Sequence, residues 1–253
     1  MELKDILKER RAKGMLMKII TNPALPLLAK DAGLDFLFYD CEHGDYSYSQ
    51  LHDLMLMGNA IGLPSVVRAA QLQRRDVSQI LDFGASGVMV PMMETREQAE
   101  QLAGWSKYPP IGIRSYSGGA NTNYGPSGHH AVNMQTMNAR TLTIAQIETR
   151  RGVENADEIL SVKGIDAAIV GPADLGISIG NPDDVMAAEE LELIQKVADS
   201  CQRHGKYFGI IGGMNLQTHF KADVRLLISG IDTHILSSGM KALVRDYDSL
   251  DQK

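Results

Sequence analysis

The chain has 253 residues, enough to bury one large core, and its 44% apolar and 22% charged residues make an ordinary globular composition. A formal net charge of −6 argues against nucleic acid or an anionic membrane as the main partner, because both require basic surface. Two cysteines, Cys41 and Cys201, lie far apart and outside any CxxC spacing, which argues against a disulfide framework or a zinc knuckle.

The N-terminus is charged and helix-like, with no apolar signal core. No apolar run approaches the roughly 18 residues of a membrane span, so the expected location is the cytoplasm. Beyond it, short apolar runs alternate with longer amphipathic stretches. Strands are predicted at 14–20, 35–39, 64–68, 87–90, 142–147, 165–170, 207–211 and 225–228. Helical patterns at 48–60, 76–83, 95–106, 153–160 and 186–203 fall between them. This is the βαβα signature of a parallel sheet, and eight such units fit a closed (β/α)8 TIM barrel better than an open doubly wound sheet. No low-complexity linker divides the chain, so 1–253 reads as a single domain. Residues 108–138, rich in Gly, Ser, Asn, Tyr and His, break the rhythm between the helix at 95–106 and the fifth strand. A segment of that length is expected to be an active-site lid or a subunit contact.

In a (β/α)8 barrel the C-terminal ends of the strands form the active face. The residues there are Lys18, the run from Asp40 to Gly44, Arg68, Pro91, Gln146 to Glu148, and Gly171 to Asp174. Buried strands should end without charge unless the charge has a task. Gln146 and Glu148 are two apart and share one side of their strand. Glu148 and Asp174, at neighbouring strand ends, suit a hard cation such as Mg2+ or Mn2+, or else cap the helices that follow. His43, flanked by Asp40 and Glu42, has the setting of a general acid–base, or is a structural loop histidine. Arg68 suits a carboxylate or enolate oxygen, or a salt bridge to an acid such as Asp40. Lys18 raises the alternative of a Schiff base, and Arg114 is a second candidate anion contact.

Five segments in order, 38–44, 90–92, 108–114, 146–149 and 171–175, resemble the HpcH/HpaI aldolase family, which contains class II pyruvate aldolases. The resemblance runs from about residue 14 to about residue 245. It implies a barrel of the phosphoenolpyruvate/pyruvate type and a divalent-metal-dependent aldolase that joins or cleaves a carbon–carbon bond between a 2-oxo acid enolate and an aldehyde. It implies Glu148 and Asp174 as ligands of Mg2+, Mn2+ or Co2+, and His43 as the general base and acid. Arg68 would hold the keto oxygen, and Gln146 would position water. Asp40 and Asp82 would orient the histidine, with Asp82 reaching in from a neighbouring subunit. The turn Gly171, Pro172, Ala173 and Asp174 would offer backbone N–H groups to the substrate carboxylate. It also implies a homo-trimer or homo-hexamer with the last helix exchanged. Ser115-Tyr116-Ser117 follows Arg114 where many such aldolases have glycine, and Cys41 sits beside His43. A CoA-thioester lyase, an oxaloacetate decarboxylase and a catalytically inactive barrel are the rival readings.

Overall fold

The computed structural model describes residues 2–125 and 128–251. Eight parallel strands close in sequence order into a barrel: β1 (Ala12–Met17), β2 (Phe36–Asp40), β3 (Ser65–Arg68), β4 (Gly87–Val90), β5 (Leu142–Ile147), β6 (Ala167–Val170), β7 (Tyr207–Ile211) and β8 (Val224–Ile231). The (β/α)8 expectation is therefore met, and among the described residues no helix is long and apolar enough to cross a membrane.

Two-residue alternation divides the core into two parts. Phe36 and Phe38 of β2, Val66 of β3 and Ile144 of β5 pack inside the barrel with Leu16, Ile169 and Ile228. Leu37, Tyr39, Val67 and Ala145 belong instead to the layer between strands and helices. The interior is close-packed at the level of Gly14, where a Cβ would stand 2.2 Å from the Phe36 ring tip. Helix α1 (Leu3–Glu9) stoppers the N-terminal end, placing Leu3, Ile6 and Leu7 against the same inner residues.

Three of the differences from the sequence reading have a clear physical cause. β1 stops at Met17 rather than at residue 20, because the next three amides leave the ladder. Those of Lys18, Ile19 and Ile20 all donate to one Asp232 carboxylate oxygen, at 3.1, 2.9 and 3.1 Å. The helix predicted at 153–160 is two helices, α7 (Arg150–Glu154) and α8 (Ala156–Ser161), broken at Asn155, whose side-chain Nδ2 donates to the Glu94 carbonyl. The segment 108–138 carries a 3-10 turn (Ala120–Thr122) and most of a helix, α6 (His130–Arg140), in which only Met137 is buried. With one buried position, α6 has no apolar stripe to read.

That segment joins α5 (Arg96–Ser106) to β5, so it lies at the N-terminal end of the barrel, opposite the strand C-termini. Arg140 donates to the Asn121 carbonyl there, and Ala120 packs against Gly84 just before β4. Within one chain it cannot cover the active face, so the subunit-contact expectation is the one its position suits.

Helix α10 (Ala188–Arg203) packs beside α9 (Pro172–Ser178) and carries an unusual group. Glu190 is 0% exposed, and neither carboxylate oxygen has a hydrogen-bond partner among the described residues. Burial, reinforced by the charge of Asp184, pushes it up to about 7. An acid raised in the folded state stabilises the fold below its unfolded value near 4.3, and that stability is lost as pH rises through about 7. Glu190→Gln should therefore raise the unfolding free energy, measured by urea titration at pH 8, by about 1–3 kcal/mol, the cost of an unsatisfied buried group. It should change it little at pH 5, and equal effects at both pH values would contradict this.

Candidate active site

The inward-facing phase of the strands continues into polar residues at their C-terminal ends. Phe36 and Phe38 lead to Asp40, Val66 leads to Arg68, and Leu142 and Ile144 lead to Gln146 and Glu148. An apolar barrel thus ends in a layer of charge, all of it buried.

Arg68 is the centre of that layer. Its Nε donates to Asp40 Oδ1 at 2.8 Å and its Nη2 to Oδ2 at 2.6 Å, a bidentate pair. Its Nη1 reaches Glu42 Oε2 at 2.9 Å and Gln146 Oε1 at 3.3 Å. One guanidinium thus ties β2 to β5 across the mouth. Burial alone would raise the Asp40 carboxyl, but the Arg68 guanidinium overrides it and holds Asp40 below the usual carboxylate range. Burial likewise opposes the charge on Arg68, and Asp40 more than restores it. The salt bridge that the sequence left as an alternative is present, and it leaves Nη1 facing the interior of the site.

Gln146 donates through Nε2 to Glu148 Oε2, so Arg68, Gln146 and Glu148 form one chain of contacts. Glu148 Oε1 accepts from the Met92 amide at 2.9 Å. Met92 adopts φ 54°, a conformation costly for a side-chain-bearing residue, beside the carboxylate it contacts. Glu148 is no helix cap: Thr149 caps α7 by accepting from the Gly152 amide at 3.0 Å. Burial first, then the charges of Asp174 and Glu42, push Glu148 up to about 7 against the pull of the Met92 amide.

Asp174 sits in the first turn of α9, with no side-chain hydrogen bond capping that helix. Gly171 precedes it because nothing larger fits: a Cβ there would stand 2.4 Å from Glu148 Oε2 and 2.9 Å from Gln146 Nε2. Pro172 and Ala173 complete the turn.

His43 lies in the loop after β2, its side chain 55% exposed, with Nε2 3.8 Å from Glu42 Oε2. Asp40 accepts from the His43 backbone amide at 3.3 Å, not from the ring. Within one chain, therefore, Glu42 and not Asp40 is the carboxylate beside the imidazole. Burial raises the Glu42 carboxyl, Arg68 and His43 draw it back, and Asp40 and Asp174 add to the rise.

With this geometry in place, comparison with known proteins is decisive. Residues 15–238 match the family described as HpcH/HpaI aldolase/citrate lyase. The chain belongs to that family. It is 32% identical over 245 residues to the hydroxypyruvate/pyruvate aldolase of Roseobacter denitrificans, covering 92% of this chain and 91% of that one. It is 33% identical to the 2-keto-3-deoxy-L-rhamnonate aldolase of Klebsiella pneumoniae, covering 76% and 71%. The crystal structure of an HpcH/HpaI aldolase from Desulfitobacterium hafniense superposes with a TM-score of 0.93 at 29% identity, covering 98% and 96%. The curated relatives are carbon–carbon lyases by name.

Among the residues this HpcH/HpaI chain was expected to use, Asp40, Arg68, Gln146, Glu148, Gly171 and Asp174 do converge at the mouth. Asp82 does not. It ends α4 (Arg74–Asp82) at the opposite end of the barrel, where Arg114 Nη2 donates to it at 2.6 Å and Asn121 at 3.4 Å. Arg114 is also far from the mouth, stacked at 4.8 Å on the Tyr108 ring. Glu42 is the residue the sequence undervalued. Its signal was its place two residues after Asp40, where a turn brings both acids to one cation.

Removing one partner of a buried pair strands the other charge. Asp40→Asn should lower the unfolding free energy by about 3 kcal/mol. The double variant Asp40→Asn/Arg68→Met should recover at least half of that loss in urea unfolding. Losses that simply add would show that the pair is not coupled.

Proposed function

We propose that the chain is a divalent-metal-dependent aldolase that forms or cleaves the carbon–carbon bond between the enolate of a pyruvate-type 2-oxo acid and an aldehyde. The observation that carries this reading is the convergence at one mouth of buried Glu148, half-buried Asp174 and a buried guanidinium already fixed by Asp40.

The donor set fits a hard cation. Glu148 and Asp174 offer oxygens only; burial and then the charge of Asp174 raise Glu148, and a divalent cation would favour its charged form. Among the described residues no group of three or more His, Cys, Asp or Glu could hold a metal. Two carboxylates therefore suit an ion such as Mg2+, Mn2+ or Co2+ that keeps positions for water and substrate. When bound, the cation acts as a Lewis acid on the carboxylate and keto oxygens of the 2-oxo acid.

The other roles belong to the chain. Arg68 stabilises the negative charge that develops on the enolate oxygen, and it needs no reorganisation because Asp40 already orients it. Gln146 bridges Arg68 to Glu148 and keeps both in register. The turn from Gly171 to Asp174 presents the first backbone N–H groups of α9, those of Ala173 and Asp174, to the substrate carboxylate, Pro172 having none. In cleavage His43 takes the proton of the aldehyde-side hydroxyl. The O–H pair becomes the carbonyl bond, and the carbon–carbon pair passes to the enolate. Synthesis reverses each step, with His43 returning the proton to the new alkoxide.

Asp82 joins this machinery only from a second copy. Helix α12 (Asp232–Asp251) supports such an assembly, because Ile235, Met240, Leu243, Val244 and Tyr247 are exposed on it. A homo-trimer or homo-hexamer with α12 exchanged would cover them.

Chelation with EDTA should abolish cleavage of a pyruvate aldol, and Mg2+, Mn2+ or Co2+ should restore it. Glu148→Gln should cost at least about 100-fold in kcat/KM at saturating metal, the scale of losing a charge-stabilising group. Undiminished turnover in chelator, with borohydride trapping a Lys18 adduct, would replace this reading with Schiff-base chemistry.

A further inference from the structure

The mouth holds a second cation that the enolate chemistry does not use. Lys18 follows β1 in the same inward-facing phase as Ala12 and Leu16, the phase that carries Asp40, Arg68 and Gln146 on their own strands. Its Nζ stands 3.9 Å from Asp40 Oδ2, beyond hydrogen-bond distance, with its side chain 28% exposed. Asp40 has no need of it. Oδ1 accepts from Arg68 Nε and from the Glu42 and His43 amides, and Oδ2 accepts from Arg68 Nη2. Among the described residues the ammonium of Lys18 has no hydrogen-bond acceptor.

The backbone of Lys18 is held unusually firmly for a loop position. Its amide and the next two converge on Asp232, which is 1% exposed, and its carbonyl accepts from the Asp45 amide at 2.9 Å. Gly44 packs so closely that a Cβ there would stand 3.1 Å from the Lys18 carbonyl oxygen and 2.1 Å from that of Asp40. The loops after β1 and β2 are thus locked together. The ammonium is placed on the His43 side of the mouth, while Glu148 and Asp174 come from β5 and the turn after β6 on the far side.

We propose that Lys18 is the specificity-determining contact for an acceptor that carries its own carboxylate, a small 2-oxo acid or an acidic aldehyde rather than a neutral sugar-derived aldehyde. The proposal rests on the enolate reading above and names its acceptor class. An enolate held between the carboxylate pair and Arg68 attacks an acceptor carbonyl lying toward His43. The acceptor's carboxylate then falls within reach of the free ammonium, which offsets an anion in a site already rich in acids.

The test compares glyoxylate with glycolaldehyde, two-carbon acceptors that differ in having a carboxylate or a hydroxymethyl group, with pyruvate as donor. For Lys18→Met the ratio of kcat/KM for glyoxylate over glycolaldehyde should fall at least about 10-fold, mainly through KM. Lys18→Arg should keep the ratio within about threefold, since it retains the charge. A ratio unchanged in Lys18→Met, or lost equally in Lys18→Arg, overturns the proposal. Metal-dependent exchange of the pyruvate methyl protons with solvent deuterium requires no acceptor and reports the enolate reading separately. If that exchange is absent in the wild-type chain, the enolate reading fails. Lys18 is then judged by calorimetric titration with succinate, where at least about 10-fold weaker binding to Lys18→Met supports an anion contact and equal affinity overturns it.

Discussion

The buried pair of Arg68 and Asp40 is the constraint on which the rest of the site depends. A guanidinium at the end of an inward-facing strand position is costly, and a bidentate carboxylate on the adjacent strand makes it tolerable. Such a pair adds little to net stability compared with an apolar replacement. Its use lies in what it leaves over. With Nε and Nη2 committed to Asp40, Nη1 is aimed at Glu42 and Gln146, and through Gln146 it is coupled to Glu148. The cation is fixed before any substrate arrives, which is the condition for stabilising charge without reorganisation.

The two ends of the barrel have divided tasks. Helix α1 and the inner apolar layers close and fill the N-terminal half, so the charged layer rests on a rigid floor. Burial first, and then the charges of Asp174 and Glu42, raise the proton affinity of Glu148, and the nearby Arg68 only partly offsets them. The opposite end carries Asp82, Arg114 and the 108–138 segment, a polar surface with no route to the mouth of the same chain.

Much of this was legible in the sequence because strand periodicity is local. Eight apolar runs give the barrel, the polar and charged residues that end several of them mark its active face, and Asp40, Arg68, Gln146, Glu148 and Asp174 are all read that way. What local pattern does not carry is partner choice. Asp40 was expected to orient the His43 ring, yet Arg68 occupies both its oxygens, a preference set by the register of β2 against β3 that places Asp40 beside Arg68. Glu42 takes the place beside the ring through a turn whose shape depends on that pairing. β1 ends early because of Asp232, more than 200 residues away, which no window along the chain could include. Helix α6 escaped notice because it buries almost nothing.

The central claim is that Glu148 and Asp174 hold a divalent cation beside Arg68 so as to bind a planar enolate of a 2-oxo acid. Oxalate has the shape and charge of that enolate, and calorimetric titration of oxalate with and without Mn2+ measures the claim directly. Binding at least about 100-fold tighter with Mn2+, lost in Asp174→Asn and weakened in Arg68→Met, is the predicted result. Oxalate affinity that is the same with and without metal, or untouched by Asp174→Asn, would contradict it.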